Sequence, residues 1–374
     1  MDHENMTLLV DGRRAFPEII RCIEAAETSV EINMFIWRDD RIGNRMAQAV
    51  LTAADRGAKI RISVDRYGVV LEKCEECKRS FFHKRQTFAE KMKSRLLEAI
   101  YPDIAEPGAV PDENTPLYTQ LISHPNIHVS ADIFKADHSK FYIIDDRILF
   151  VGGVNIEDKE NGQDISGRVY GDYMAKLEGR EYVAAFREKL ATGRDTLEGI
   201  FFGLNLKEPV RRFEMEELYL DLINGAKEEL HITMAYFSPL KHFVQAILAA
   251  HRRGVRVTIV IPERANFQND SNRRTAATLL KESGGGIRVF FSPRMLHTKL
   301  VMNEQYISFG STNITKKAFE QLNELNLFIP NVDSPFQRQM LASIAADIRD
   351  AQSIRSHREV AYRKGLAFLE GFMV

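Results

Sequence analysis

Cysteine is scarce in this chain: three in 374 residues, Cys22, Cys74 and Cys77. So small and odd a number excludes a secreted disulfide framework and points to a reducing compartment. Cys74 and Cys77 form C-x2-C with His83 nearby. A structural zinc site needs four ligands and no second pair is in view, so unpaired thiols are expected and no metal. Net charge is also missing, at −1, which leaves no global field to recruit a polyanion; no nucleic-acid partner is expected. Long apolar runs are absent too. No window approaches the roughly 18–20 continuous apolar residues of a spanning helix. The opening MDHENMTLLVDGRRAF is too acidic, and its apolar run too short, for a signal peptide. These absences predict a cytoplasmic protein that could still lie peripherally on the inner face of the cell membrane.

What is present is material for a core, with 44% hydrophobic and 28% charged residues. The length suits two domains or one duplicated one, and a repeat is visible. AFPEIIRCIEAAETSVEINMFI (15–36) matches ELYLDLINGAKEELHITMAYF (217–237), each a helical spacing leading into a strand. MAQAVLTAADRGAKIRISVD (46–65) matches FVQAILAAHRRGVRVTIVIP (243–262), with Gly57 and Gly254 closing the helices. The order predicts α/β halves with mixed, largely parallel sheets, 1–205 and 206–374, around a shared cleft. Gly57 to His138 is 81 residues and Gly254 to His297 is 43, which places an insert near 68–118. GLNLKEPVRR (203–212) reads as a linker, and ESGGGIRV (282–289) as a helix-to-strand turn.

The third repeated unit carries chemistry. His138, Lys140 and Asp145 fit H-x-K-x4-D, followed by Gly152, Gly153 and Asn155; His297 and Lys299 precede Gly310, Ser311 and Asn313. Positions i and i+2 of a strand share a face, so each His and Lys are expected to point together. Two halves face to face would offer two imidazoles, two ammonium groups and two carboxamides. That set suits a phosphodiester: lysines and amides (Lys140, Lys299, Asn155, Asn313) on the phosphoryl oxygens, one histidine attacking phosphorus, the other protonating the leaving alkoxide. Lysines supplying the positive charge make a metal or other cofactor unnecessary. Asp172 in GDYMAKLEG and Glu324 in LNELNLFI follow the motifs and are candidates for orienting the imidazoles.

With these residues the sequence resembles the phospholipase D superfamily, whose members carry two H-x-K-x4-D motifs in a duplicated α/β fold. EINMFIWRDDRIGNRM, FVGGVNIEDKE, GDYMAKLEG and LNELNLFI are most similar to segments of bacterial cardiolipin synthases, in a form without transmembrane helices. The resemblance implies a phosphatidyltransferase that joins two phosphatidylglycerol molecules into cardiolipin and glycerol through a phosphohistidine. By analogy His138 is the nucleophile and His297 the acid and base, though the residues themselves allow the reverse. The implied catalytic set is His138, Lys140, Asp145, Asp172, His297, Lys299, Glu304 and Glu324. The second motif departs from the pattern, with Glu304 where Asp is usual and Asn303 aligning equally well; the family's carboxylate there chiefly supports the fold. The alternatives are a phospholipase or nuclease using water, and a non-catalytic lipid-binding protein with a decayed second motif.

The insert segment KCEECKRSFFHKRQTFAEKMKSR (73–95) holds eight Lys or Arg and three Glu. Phe81, Phe88, Met92 and Leu96 fall on one helical face. Such a helix suits adsorption to anionic phospholipid, worth about 1 kcal/mol per basic residue near the surface; an ordinary surface helix is the alternative. GLAFLEGFMV (365–374) is expected to be a packing helix.

Overall fold

A computed structural model describes residues 5–72, 78–101, 115–162, 169–208 and 211–373. The repeat folds as helices feeding strands. Gly12–Glu24 leads into Ser29–Met34, and Arg41–Asp55 into Lys59–Val64. In the second half Met215–Gly225 leads into Glu229–Met234, and Lys241–Arg252 into Arg256–Pro262. The second helix of each half ends for one local reason. Gly57 and Gly254 adopt φ of 104° and 93°, a conformation that a Cβ makes costly.

The strands form two large sheets. One has seven strands in the order Met6–Val10, Tyr173–Glu178, Ile148–Gly152, Phe141–Ile144, Ser29–Met34, Lys59–Val64, Ile127–Ser130. The other has nine: Arg212–Phe213, Phe201–Leu206, Glu324–Pro330, Tyr306–Gly310, Lys299–Asn303, Glu229–Met234, Arg256–Pro262, Arg288–Ser292, Gln352–Ile354. Strands joined through helices pair in parallel. The hairpin that follows each histidine adds antiparallel ladders at the sheet centre.

The sheets pack face to face, with helices outside. Phe141, Ile143, Leu149 and Val151 share a core with Leu300, Met302, Ile307 and Phe309, while Tyr142, Ile144 and Phe150 alternate to the helix side. Burial on both faces explains the unbroken apolar strands beside each motif. Phe201–Leu206 joins the second sheet, with Phe202 and Leu204 in the shared core. Residues 203–206 of the expected linker are therefore strand, held by their alternating apolar side chains.

Within the first-half insert, Phe88–Ile100 is a helix started by a Thr87–Glu90 capping box. Phe81 lies outside it, packed on Trp37, Phe82 and Tyr118, so the expected apolar face begins at Phe88. Glu90, Ser94 and Leu97 form the buried side; Phe88, Met92 and Leu96 are 81%, 52% and 55% exposed. His83 Nδ1 meets Glu72 at 2.9 Å, and Cys74 and Cys77 lie outside the described residues. The helix Lys364–Met373 packs on Asn269–Glu282, where Glu370 accepts from Ser271 N at 2.7 Å. Residues 283–287 turn that second helix into Arg288–Ser292.

Candidate active site

Each histidine stands just ahead of a central strand, held by a backbone hydrogen bond that crosses between the halves. His138 N donates to Asn323 O at 2.9 Å, and His297 N to Gly171 O at 2.7 Å. The residue after each acceptor is a carboxylate, Glu324 or Asp172. His138 Nδ1 accordingly lies 3.1 Å from Glu324. His297 Nδ1 lies 3.1 Å from Asp172 and 3.2 Å from Glu160. In sequence each carboxylate follows its own half's motif; in the fold they are exchanged, and each imidazole is oriented by the other half.

The glycines act through close approach. A Cβ on Gly152 would come within 2.2 Å of Tyr173 O, and one on Gly310 within 2.2 Å of Leu325 O. A Cβ on Gly153 would meet the Asp172 carboxylate at 2.3 Å, so its absence leaves room for that group beside His297. The second half has Ser311 there instead. Its hydroxyl donates to Glu324 and accepts from Leu325 N.

Asp145 and Glu304 stand away from this centre, at the opposite ends of the central strands. Asp145 accepts from the N–H groups of Glu27, Thr28 and Ser29 and from Thr28 Oγ1. Glu304 accepts from Lys227 N at 2.9 Å, with Glu228 N and Glu229 N farther off. Both tie down the backbone entering Ser29–Met34 or Glu229–Met234. Glu304 is therefore the structural counterpart of Asp145. Asn303 instead accepts from Gln305 N and Tyr306 N within its own turn. Expected among the catalytic groups, the two carboxylates hold the motif strands in place. Asp145→Ala is expected to cost about 1–3 kcal/mol of unfolding free energy at neutral pH. Its backbone partners hold the Asp145 carboxyl below the ordinary range against the opposing effect of burial, so this stability is present at neutral pH and lost as acid protonates it. Urea unfolding at pH 7 and in acid measures both; an equal cost at the two values contradicts the assignment.

Lys140 and Lys299 are fully buried behind the histidines, each donating to its own histidine's carbonyl oxygen. Burial and the neighbouring Lys299 push Lys140 down to about 7. Burial and the two lysines push His138 well below its ordinary value. Burial and Lys299 push His297 to about 4, against the pull of Asp172. Burial raises Glu324 to about 8 and Glu160 to about 7. The buried centre is thus hostile to imidazolium and ammonium charge, an effect that a phosphate anion bound between these groups would relieve. Glu160, Asp172 and His297 offer ligand atoms within 4.8 Å of one another, and the Lys299 ammonium sits 3.6 Å from the same Asp172.

His138 and His297 open into one cavity of about 420 Å³, which Asn155 and Asn313 also line. Its walls are apolar, with Phe35, Leu71, Leu97, Phe134 and Phe267 among them. Among the described residues Asn155 Oδ1 has no hydrogen-bond partner there, and neither does the carboxamide of Gln268, buried with φ of 54°. The sequence reading missed Glu160, Gln268, Lys93 and Lys317. Glu160 sits in the quoted FVGGVNIEDKE five residues beyond Asn155, and Lys93 in the basic insert segment 73–95, where it was read as a charge for the membrane surface; Gln268 and Lys317 carry no motif that would find them.

The family model for the cardiolipin synthase, PLD-like domain matches residues 19–190 and 219–348. Cardiolipin synthase B of Escherichia coli O6:H1 is 25% identical, over 91% of this chain and 80% of its own. Cardiolipin synthase 2 of Staphylococcus epidermidis is 22% identical, over 98% of this chain and 72% of its own. The crystal structure of phosphatidylserine synthase from Haemophilus influenzae Rd KW20 superposes with a TM-score of 0.69 at 14% identity, over 99% and 92% of the two chains, and supports the fold. With the family model covering most of both halves, the chain belongs to the cardiolipin synthase, phospholipase D-like domain family, and is an enzyme of the phospholipase D superfamily.

Proposed function

We propose that the protein is a phosphatidyltransferase that converts two phosphatidylglycerol molecules into cardiolipin and glycerol. His138 Nε2 attacks the donor's phosphorus, forming an N–P bond as the P–O bond to glycerol breaks. His297 protonates the departing alkoxide, then takes the proton from the second lipid's primary hydroxyl as that oxygen displaces His138. Lys140, Lys299, Asn155 and Asn313 stabilise the phosphoryl charge. His297 suits the acid role because two carboxylates face its Nδ1, and His138 has one. The observation that carries the reading is the cavity itself: both imidazoles open into one chamber with walls apolar enough for acyl chains. Incubation with phosphatidylglycerol vesicles and mass analysis of the lipids tests it. Cardiolipin with glycerol is expected; phosphatidic acid would indicate a hydrolase.

The pH profile follows from the buried pair. Attack requires Glu324 ionised, accepting Nδ1–H so that Nε2 keeps its lone pair. With Glu324 at about 8, that form fills as pH rises; with Lys140 at about 7, its charge is lost in the same direction. With a p-nitrophenyl ester of phosphatidic acid as donor, whose leaving group needs no proton from His297, the competent form is a minority species and kcat/KM is expected to be bell-shaped, with its maximum between those values. Glu324→Gln still accepts Nδ1–H, so its acid limb should move below pH 6.5. An unmoved limb contradicts the pairing.

The reading extends to a membrane surface. Among the described residues no helix is long and apolar enough to cross a membrane. Phe88–Ile100 instead has one side on the cavity (Ala89, Lys93, Leu97) and Phe88, Met92 and Leu96 turned to solvent. Exposed Lys91 and Arg95 accompany that stripe, so anionic lipid is its proposed partner. Phe88→Glu with Met92→Glu should abolish flotation with phosphatidylglycerol vesicles while the protein remains folded; undiminished flotation contradicts this.

A further inference from the structure

Two lysines outside the H-x-K motifs line the same cavity, Lys93 from the helix Phe88–Ile100 and Lys317 from Lys316–Glu320. Both converge on one aromatic ring: Lys93 Nζ lies 4.3 Å and Lys317 Nζ 5.3 Å from the Tyr67 centroid. No ion pair between either lysine and a carboxylate occurs among the described residues. The nearby carboxylates are already engaged. Asp65 accepts from the backbone N–H groups of Tyr67, Lys135 and Asp137, and Glu90 is bound twice by Arg66. Burial, then Lys93 and Lys207, push Lys317 down to about 8 against the pull of Asp65; Lys93, still open to solvent on one side, is lowered by partial burial against the same Asp65. Two ammonium groups held near each other, with no ion pair of their own among the described residues and with Asp65, the carboxylate acting on both, already engaged by backbone donors, leave a place for an anion.

The location says which anion. Phe35 stacks on Tyr67 at 5.7 Å and meets the His138 ring edge-on at 4.7 Å, so one aromatic ring separates the lysine-bearing tyrosine from the proposed nucleophile. In cardiolipin the two phosphates are separated by one three-carbon glycerol bridge. An acceptor lipid whose hydroxyl reaches phosphorus on His138 therefore carries its own phosphate a short way along the cavity. We propose that Lys93 and Lys317, both gathered at the Tyr67 ring, form the subsite for the phosphodiester of the acceptor lipid. The inference rests on the transferase reading and assigns its second substrate a place. It also gives the enzyme a means of preferring a phospholipid hydroxyl to water or a neutral alcohol.

The test compares wild type with the double variant Lys93→Gln, Lys317→Gln. Transfer from phosphatidylglycerol is measured with phosphatidylglycerol and with ethanol as competing acceptors, and calorimetry measures binding of glycerol 3-phosphate and of inorganic phosphate. The ratio of kcat/KM for the phospholipid over ethanol should fall about tenfold or more in the variant, with weaker binding of glycerol 3-phosphate. An unchanged ratio overturns the subsite. Lysine-dependent binding of inorganic phosphate with an unchanged ratio marks a free-phosphate site and overturns the acceptor role as well. Failure of the transferase reading appears separately, as no transfer to either acceptor by wild type. Glycerol 3-phosphate binding then decides alone, and equal binding to both proteins overturns the subsite.

Discussion

His138→Ala should lower transfer from phosphatidylglycerol at least about a thousandfold while leaving the thermal unfolding midpoint within a few degrees. The expected loss is large because, in the proposed mechanism, no other group can form the covalent intermediate; removing the nucleophile of a two-step reaction removes both steps. The fold should tolerate the change because the hydrogen bond that joins the halves here is made by the backbone N–H of residue 138, not by the ring. Glu324 would lose its imidazole partner, yet Ser311 still donates to it. Measured turnover within tenfold of wild type, with intact folding, would remove His138 from the reaction.

His297→Ala is expected to be nearly as damaging with phosphatidylglycerol, and much less so with a better leaving group. A glycerol alkoxide leaves poorly unless protonated, so loss of the acid should cost about a hundred- to ten-thousandfold. A p-nitrophenyl ester of phosphatidic acid needs no such help, because p-nitrophenolate departs as the anion. The variant should release a burst of p-nitrophenol at a rate within about tenfold of wild type, then stall. Stalling is expected because His297 also serves as the base that activates the acceptor hydroxyl, and the phosphatidyl group would stay on His138. The opposite pattern, with His138→Ala giving the burst, would exchange the two roles.

The repeat was legible in the sequence because it recurs as residues, not as shape. Ile32 and Ile232, or Gly57 and Gly254, occupy matching places in the two halves, and the His-x-Lys pairs mark both central hairpins. The same cues could not tell that Glu324 serves His138 and Asp172 serves His297. That exchange comes from backbone hydrogen bonds made between halves 125 or more residues apart, to Asn323 and Gly171. Asp145 and Glu304 were placed with the chemistry by the spacing of the motif. Spacing cannot distinguish a carboxylate aimed at a substrate from one that accepts from the N–H groups of a neighbouring strand. Residues 203–206 were misread as linker because NLKEP is polar, whereas Phe202 and Leu204 decide their fate by packing between the sheets. Lys93 and Lys317 were invisible for a further reason. They lie in the insert and in a short second-half helix, and only the folded chain brings both to one ring.

The central claim is that the two halves build one reaction centre, with phosphorus passing through the imidazole of His138. Rapid quenching of His297→Ala during turnover of the p-nitrophenyl substrate, followed by mass spectrometry of peptides kept at alkaline pH, tests this directly. The expected result is a phosphatidyl adduct on the peptide containing His138, lost in mild acid as a phosphorus–nitrogen bond should be. No adduct on either histidine peptide, despite a measured burst, would contradict the covalent route and the centre proposed for it.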